Sequence, residues 1–461
     1  MLAYQGKDGY YDSYKDGTHG SQYKFQWENY TTLLRWNYMV SPSLFVNTSV
    51  YYSLFRFDES TEVNDSAYKE TTRSGLADYS IKGDFDLSLN KRTLKFGYHF
   101  SSQNFNPELV AFGNEIKDTS FNASSIEKVA SLAVYIEDEW KLNQNWTLKP
   151  GLRTLYYYNG IEGIFFLEPK FSTVYILNTS SSMKFSFQRM TQPIHLLTNT
   201  ALNMPTDLWV PATHQIKPAT AWQFDIEYAK KFSGAYSLTW DAYYKPIRNV
   251  IQYKQGVSYI KNASDAWYDL VDVGDGLNYG TEIMLEKTEG KITGWVNYTL
   301  AWALRKVEGI NNGEYFPFKY DRRHDINVLL KYNVKETEQV QRYISVAFKL
   351  ATGNAITVPV ESFEGASLPG MNNLDQYFRV NFNSYESFPH PNNYRMPTFH
   401  HLDLAYSTTK KLSRGRERSW KFSVYNIYNR LNPYYYVKRY NGYYQVSLLP
   451  IIPSVSFSYN W

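Results

Sequence analysis

The densest group of residues able to do chemistry is Tyr320-Asp321-Arg322-Arg323-His324-Asp325. Two guanidiniums beside an imidazole suit an anionic ligand, because Arg presents a planar fork of donors to carboxylate or phosphate. A plainer role competes with this. Asp and Arg can pair with neighbouring strands and fix register on a polar wall, where charged residues are the rule in water-filled barrels. A second group is aromatic. Segment 191–216 holds Met204, Trp209 and His214, and 354–398 holds Phe363, Tyr377, Phe378, Tyr385 and Phe388. Aromatic side chains on loops offer large contact area at low entropic cost. The candidate ligand contacts are therefore Trp209, His214, Arg322, Arg323, Tyr377 and Phe378, with loop-on-loop packing as the plainer alternative for the aromatics.

Other chemistries find little support. His390, His400 and His401 stand near one another in the chain, with His195 and His214 further away. Adjacent His400 and His401 on a strand point to opposite faces and do not chelate one ion. No HExxH or paired-carboxylate spacing accompanies them, so no metal and no cofactor is expected. No GxSxG elbow, P-loop or GxGxxG turn after a strand is present, and no enzyme is expected. The chain has no cysteine, which removes disulfide scaffolds, Cys-ligated zinc and thiol catalysis. Lys+Arg 48 against Asp+Glu 44 leaves +4, spread along the chain, and this argues against nucleic acid as a partner.

The elements that must position these residues repeat with a period of two. From Ala77 to Ser88, Ala77, Tyr79, Ile81, Gly83, Phe85 and Leu87 alternate with Asp78, Ser80, Lys82, Asp84, Asp86 and Ser88. That pattern is a strand of about 12 residues with one apolar and one polar face. It recurs in Trp222, Phe224, Ile226 and Tyr228, in Tyr236, Leu238, Trp240, Ala242 and Tyr244, and in Val455, Phe457, Tyr459 and Trp461. Strands are predicted near 25–39, 43–56, 76–88, 92–102, 129–141, 145–157, 164–177, 181–190, 217–231, 235–249, 277–287, 291–304, 321–334, 340–353, 399–410, 418–430 and 452–461.

Connections sort by parity. Short ones at 40–42, 89–91, 142–144, 178–180, 232–234, 288–290, 335–339 and 411–417 alternate with mostly long ones such as 57–75, 103–128, 191–216, 250–276 and 354–398. Short turns at one end and long loops at the other mark an outer-membrane β-barrel, with turns periplasmic and loops extracellular. Mean hydropathy is −0.49, and no apolar run approaches the roughly 20 residues of a spanning helix. Tyr 43, Phe 27 and Trp 12 bring the aromatics to 18%, which suits the girdles of such barrels. The fold class predicted is all-β, a transmembrane antiparallel barrel.

With the last strand running down to the periplasm, seventeen strands make the first run down as well. Residues 1–24 are then expected as the remnant of an extracellular loop, and 25–461 as the C-terminal portion of a larger barrel, since single-chain bacterial barrels have even strand counts. The start Met1-Leu2-Ala3-Tyr4-Gln5-Gly6-Lys7-Asp8 shows no basic region followed by an apolar one, which agrees with an upstream part. An open edge in lipid is costly, so residues 1–461 alone are expected to misassemble.

Several segments are familiar. Leu167-Glu168-Pro169-Lys170-Phe171-Ser172, Met204-Pro205-Thr206-Asp207-Leu208-Trp209-Val210-Pro211, Tyr279-Gly280-Thr281-Glu282, Gly294-Trp295-Val296-Asn297-Tyr298-Thr299-Leu300, the 320–325 cluster and Ser423-Val424-Tyr425-Asn426-Ile427-Tyr428-Asn429-Arg430-Leu431-Asn432-Pro433 occur in order. With Leu448-Leu449-Pro450-Ile451-Ile452-Pro453 they resemble the C-terminal barrel of TonB-dependent outer-membrane receptors, especially the group carrying a carboxypeptidase-regulatory-like domain before its plug. Phe457, Tyr459 and Trp461 resemble the terminal assembly signal of outer-membrane barrels.

The resemblance implies a 22-stranded barrel, of which seventeen strands are counted here, with a plug folded inside and a TonB box near the mature N-terminus. Neither plug nor box is recognisable in 1–24. It also implies a Gram-negative outer-membrane location and uptake of a siderophore, haem, glycan or peptide. The partners implied are the TonB complex through the N-terminal part, outer-membrane lipid and the barrel assembly machinery. A passive channel and a surface adhesion protein are the competing classes.

Overall fold

The computed structural model describes residues 1–16, 19–63, 68–114, 119–124, 126–198, 207–233, 235–254, 266–364, 384–388, 390–439 and 442–460. Among them are eighteen strands of nine or more residues. They are β1 (Leu2–Asp16), β2 (His19–Ser41), β3 (Leu44–Val63), β4 (Tyr68–Leu89), β5 (Arg92–Asn114), β6 (Glu127–Lys141), β7 (Trp146–Tyr158), β8 (Gly163–Asn178) and β9 (Ser181–Gln192). The series continues with β10 (Ala219–Phe232), β11 (Tyr236–Tyr253), β12 (Val271–Lys287), β13 (Ile292–Val307), β14 (His324–Glu336), β15 (Val340–Ala351), β16 (Phe399–Lys411), β17 (Glu417–Tyr425) and β18 (Ile452–Asn460). No helix is long and apolar enough to cross a membrane.

The seventeen predicted strands are all present, and an eighteenth precedes them. Residues 2–16, expected in a loop, form β1 and pair antiparallel with β2 from Leu2↔Leu33 to Asp16↔His19. Residues 19–24 already belong to β2. The sequence hides β1 because Gln5-Gly6-Lys7-Asp8-Gly9 is polar at consecutive positions, and backbone ladder bonds need no apolar face. With β1 the strand count is even, and the argument from an odd number falls away.

Two predicted loops also shrink. β3 and β4 run on together past residue 57 to Val63↔Tyr68, and β5 reaches Asn114. In those extensions Arg73 pairs with Asp58, and the Tyr23 hydroxyl donates to Glu59 at 3.0 Å. Polar residues thus occupy both faces of the β3 extension, so hydrophobic periodicity ends before that strand does.

The connections still divide into two series. One, at 42–43, 90–91, 142–145, 179–180, 233–235, 288–291, 337–339 and 412–416, never exceeds five residues. The other is mostly long, with 193–218, 254–270, 308–323, 352–398 and 426–451, and includes the four-residue turn 159–162.

The chain divides into two compact units. The first comprises Met1–Asn199, Thr206–Tyr228 and Tyr243–Gly276, the second Thr200–Pro205, Ala229–Ala242 and Leu277–Trp461. In the first, β1 to β9 each pair with the next in sequence, all antiparallel. Val50, Tyr52 and Leu54 lie opposite Ile81, Tyr79 and Ala77, with the Tyr52 and Tyr79 rings 4.8 Å apart. On the other face Asp78 accepts from Ser101 at 3.0 Å and Gln103 at 2.8 Å. Gly97 is required on that face. Its missing side chain lets the Tyr135 ring cross and donate to Asp84 at 2.5 Å, where a Cβ would meet that ring at 2.8 Å.

In the second unit β13 to β18 pair in sequence, again antiparallel. Register sorts the side chains cleanly. Val296, Val328, Phe348 and Leu402 form one row across four strands, and the next row is Asn297, Asn327, Lys349 and His401. One face is therefore apolar and the other polar, the alternation of a sheet that meets lipid on one side.

Candidate functional site

The 320–325 cluster lies at the long-connection end of the second unit. Asp321 is completely buried. Its Oδ1 accepts the Ala303 amide at 2.7 Å, and its Oδ2 accepts Arg323 Nη2 at 3.1 Å and Arg395 Nη2 at 2.5 Å. Arg395 also donates to the Asp321 carbonyl and, at 3.1 Å, to the Gly353 carbonyl. The Arg323 guanidinium lies 4.3 Å from the Trp302 ring centroid, and Trp302 stacks on Tyr279 at 4.9 Å. One carboxylate thus ties together the roots of 308–323 and 352–398. Arg322 differs. It is exposed, and its Nε donates to Asn354 Oδ1 at 2.9 Å.

Beside this cluster, the segment after β17 is a hydrogen-bonded lock. Asn426 is fully buried and left-handed at φ 52°, which ends β17 at Tyr425 rather than the predicted 430. Its amide nitrogen donates to the Arg430 carbonyl at 2.9 Å, and its Oδ1 accepts the Arg430 amide at 3.0 Å. Asn432 and His400 exchange bonds at 3.0 Å each. The recurrent asparagines of 426–432 therefore build the turn itself, since Asn tolerates the left-handed region and bonds its own backbone.

The described residues of segment 191–216 are docked against the strands. Ile194–Leu197 and Leu208–Pro211 form a small hairpin. Buried Ala212 joins Phe105, Val129 and Tyr157 in a cluster against which Ile194, Leu76 and Trp209 pack. The Tyr157 hydroxyl caps it by donating to the Ala212 carbonyl at 2.8 Å. Trp209, a candidate ligand contact, is engaged in this packing. His214 stands exposed on the turn that follows.

The polar face of the first unit also carries a cavity of about 550 Å³. Its charges are largely matched: Lys170 meets Glu137 at 2.7 Å, and Arg153 pairs with Glu168, which also accepts the Thr191 amide at 2.7 Å. Lys245 lines the same cavity. Among the described residues no group of three His, Asp or Glu side chains is placed to hold a metal. His400 and His401 point to opposite faces, paired with Leu350 and Lys349.

Phe457 and Tyr459 share one face of β18, and the Phe457 ring lies 4.6 Å from Trp420. Trp461, Tyr377 and Phe378 lie outside the described residues. Arg395 escaped the sequence reading because its partner stands 74 residues away, and no local spacing links them.

Strands that alternate apolar and polar, joined by short turns at one end and long connections at the other, define the class of outer-membrane β-barrels. Known structures place the fold more closely. The ferric yersiniabactin uptake receptor FyuA from Yersinia pestis superposes with a TM-score of 0.60 at 10% identity, over 96% of this chain and 61% of that one. The ferric preacinetobactin receptor BauA from Acinetobacter baumannii gives 0.58 at 10% identity, over 99% and 72%. The copper transporter OprC gives 0.59 at 11% identity, over 94% and 66%. The chain thus spans less than two thirds of the length of FyuA and OprC. No curated protein matches it by sequence. The family profile "TonB dependent receptor-like, beta-barrel" matches residues 2–429, and the chain belongs to that family. It is an outer-membrane protein of a Gram-negative bacterium, in a family of transporters rather than enzymes.

Proposed function

We propose that this chain is the barrel of a receptor that imports a scarce or large nutrient across the outer membrane with energy delivered through TonB. The observation that carries the reading is the family match across residues 2–429. In this reading the long connections lie outside the cell and the short turns lie in the periplasm. A plug gates the polar interior, and contact with TonB is made through the receptor's N-terminal part. The cargo belongs to the siderophore, haem, glycan or peptide class. The similar structures carry different cargoes, ferric chelates and copper, on one fold, so the connections rather than the strands select it.

His214, Tyr377 and Phe378 are the proposed ligand contacts. Trp209 supports them by anchoring the residues that lead to His214, and Arg323 is committed to Asp321. Phe457, Tyr459 and Trp461 serve as the signal read by the assembly machinery.

Genetics tests the reading without knowing the cargo. Deleting this gene in its host should produce a growth defect on one limiting nutrient, and deleting tonB should produce the same defect. The double deletion should grow no worse than the tonB strain. An additive defect in the double deletion would contradict energised uptake.

A further inference from the structure

Register in the second unit brings two histidines onto the apolar face at its long-connection end. Leu300 lies opposite His324, and Leu350 lies opposite His400. Asp325, His401 and Asp403 alternate onto the polar face. β15 separates β14 from β16 and His400 is level with Ile326 rather than His324, so the two histidine positions lie about 10 Å apart across the strands and about 7 Å apart along them. Each is fixed by a tyrosine through its Nδ1, which leaves Nε2 as the other ring nitrogen. His324 Nδ1 lies 2.9 Å from the Tyr298 hydroxyl, and His400 Nδ1 lies 2.6 Å from the Tyr428 hydroxyl.

Positive charge gathers at the same end. Arg322 is exposed two residues before His324, and its Nε donates to Asn354. Arg430 adds its charge beside His400 and is itself anchored to the Thr398 carbonyl at 3.2 Å. At this end of β14 to β16, the strand positions of the apolar face carry no carboxylate among the described residues. Directly below run Ile326, Phe348, Leu350 and Leu402, with no polar side chain between them. Cations and tyrosines above, aliphatic rows beneath: this is the polarity profile of a phosphate-headed lipid rather than of a soluble anion.

We propose that Arg322 and His324 on one side and His400 on the other hold the phosphates of a phosphorylated glycolipid in the outer leaflet, with its acyl chains lying along the apolar rows. The proposal rests on the outward orientation of the long connections given above. The guanidinium supplies charge-assisted bonds through its Nη atoms, and the two Nε2 atoms supply directed donors on a rigid sheet. Arg322, which the sequence suggested as a contact for an imported anion, is thereby assigned to an anion of the membrane itself.

The test uses the protein extracted from outer membranes and placed in phosphatidylcholine nanodiscs. Three probes are added: bisphosphorylated lipid A, its dephosphorylated form and phosphatidylglycerol. Native mass spectrometry reads lipid retained per protein. Two lost hydrogen bonds to a charged group should reduce lipid A retention by about tenfold or more in Arg322→Ala/His400→Ala protein. Arg322→Lys should keep most of it, and Lys349→Ala on the polar face should leave it unchanged. Heat-dependent electrophoretic mobility confirms that each variant is folded. Undiminished retention in the folded double variant, or equal retention of the dephosphorylated lipid, overturns the site. Phosphatidylglycerol retained as well as lipid A overturns the choice of glycolipid. A wrong orientation would show itself separately, through the labelling of connections in intact cells.

Discussion

Asp321→Ala should cost about 3–5 kcal/mol of stability, the range expected when one member of a buried ion pair is removed. The carboxylate is fully buried and receives Arg323, Arg395 and the Ala303 amide. Without it, two partly buried guanidiniums face each other uncompensated, and the Ala303 amide loses its acceptor. Asp321→Asn keeps the shape and an oxygen for the amide, so its cost should be smaller. Urea unfolding of detergent-solubilised protein, followed by electrophoretic mobility, measures both. The expected order of midpoints is native, then Asn, then Ala. A midpoint for Asp321→Ala equal to the native value would show that the arginines find solvent as readily as they find Asp321.

Phe105→Ala should be as large in energy but different in kind. Truncating a buried Phe costs about 3–5 kcal/mol through lost transfer energy and the cavity left behind. Phe105 is completely buried between Val129, Tyr157 and Ala212. The same cluster takes in Ala212, Ile194 and Trp209 beside the strand residues Val129, Tyr157 and Leu76, so part of the loss should fall on docking of the chain around Ile194 and 209–212. Limited proteolysis should cut Phe105→Ala protein between 194 and 216 under conditions that leave the native protein intact. Global unfolding should shift less than for Asp321→Ala. Continued resistance of that segment would mean that the hairpin at 194–211 holds it without the cluster.

The strands were legible because period-two alternation survives wherever one face is apolar. Every strand carrying rows such as Val296, Val328, Phe348 and Leu402 could be read from sequence. β1 and the outer ends of β3 and β4 could not, because polar residues stand on both of their faces. The rim was half legible. A run such as 320–325 announces charge, but not that Asp321 points inward to Arg395 while Arg322 stays exposed. That division depends on a partner 74 residues away, and local spacing carries no information about it. Trp209 shows the same limit: an aromatic on a loop reads alike whether it meets a ligand or packs against a cluster of its own chain, as Trp209 does against that of Phe105 and Ala212.

The central claim is a membrane barrel whose long connections face outward, and residues 1–461 hold no cysteine to compete with one placed there for labelling. A single cysteine can be placed at Glu314, exposed in connection 308–323, or at Glu338, exposed in turn 337–339. A membrane-impermeant maleimide added to intact cells should label Glu314→Cys and leave Glu338→Cys unlabelled until the outer membrane is opened. Labelling of Glu338→Cys in intact cells, with Glu314→Cys protected, would contradict the account.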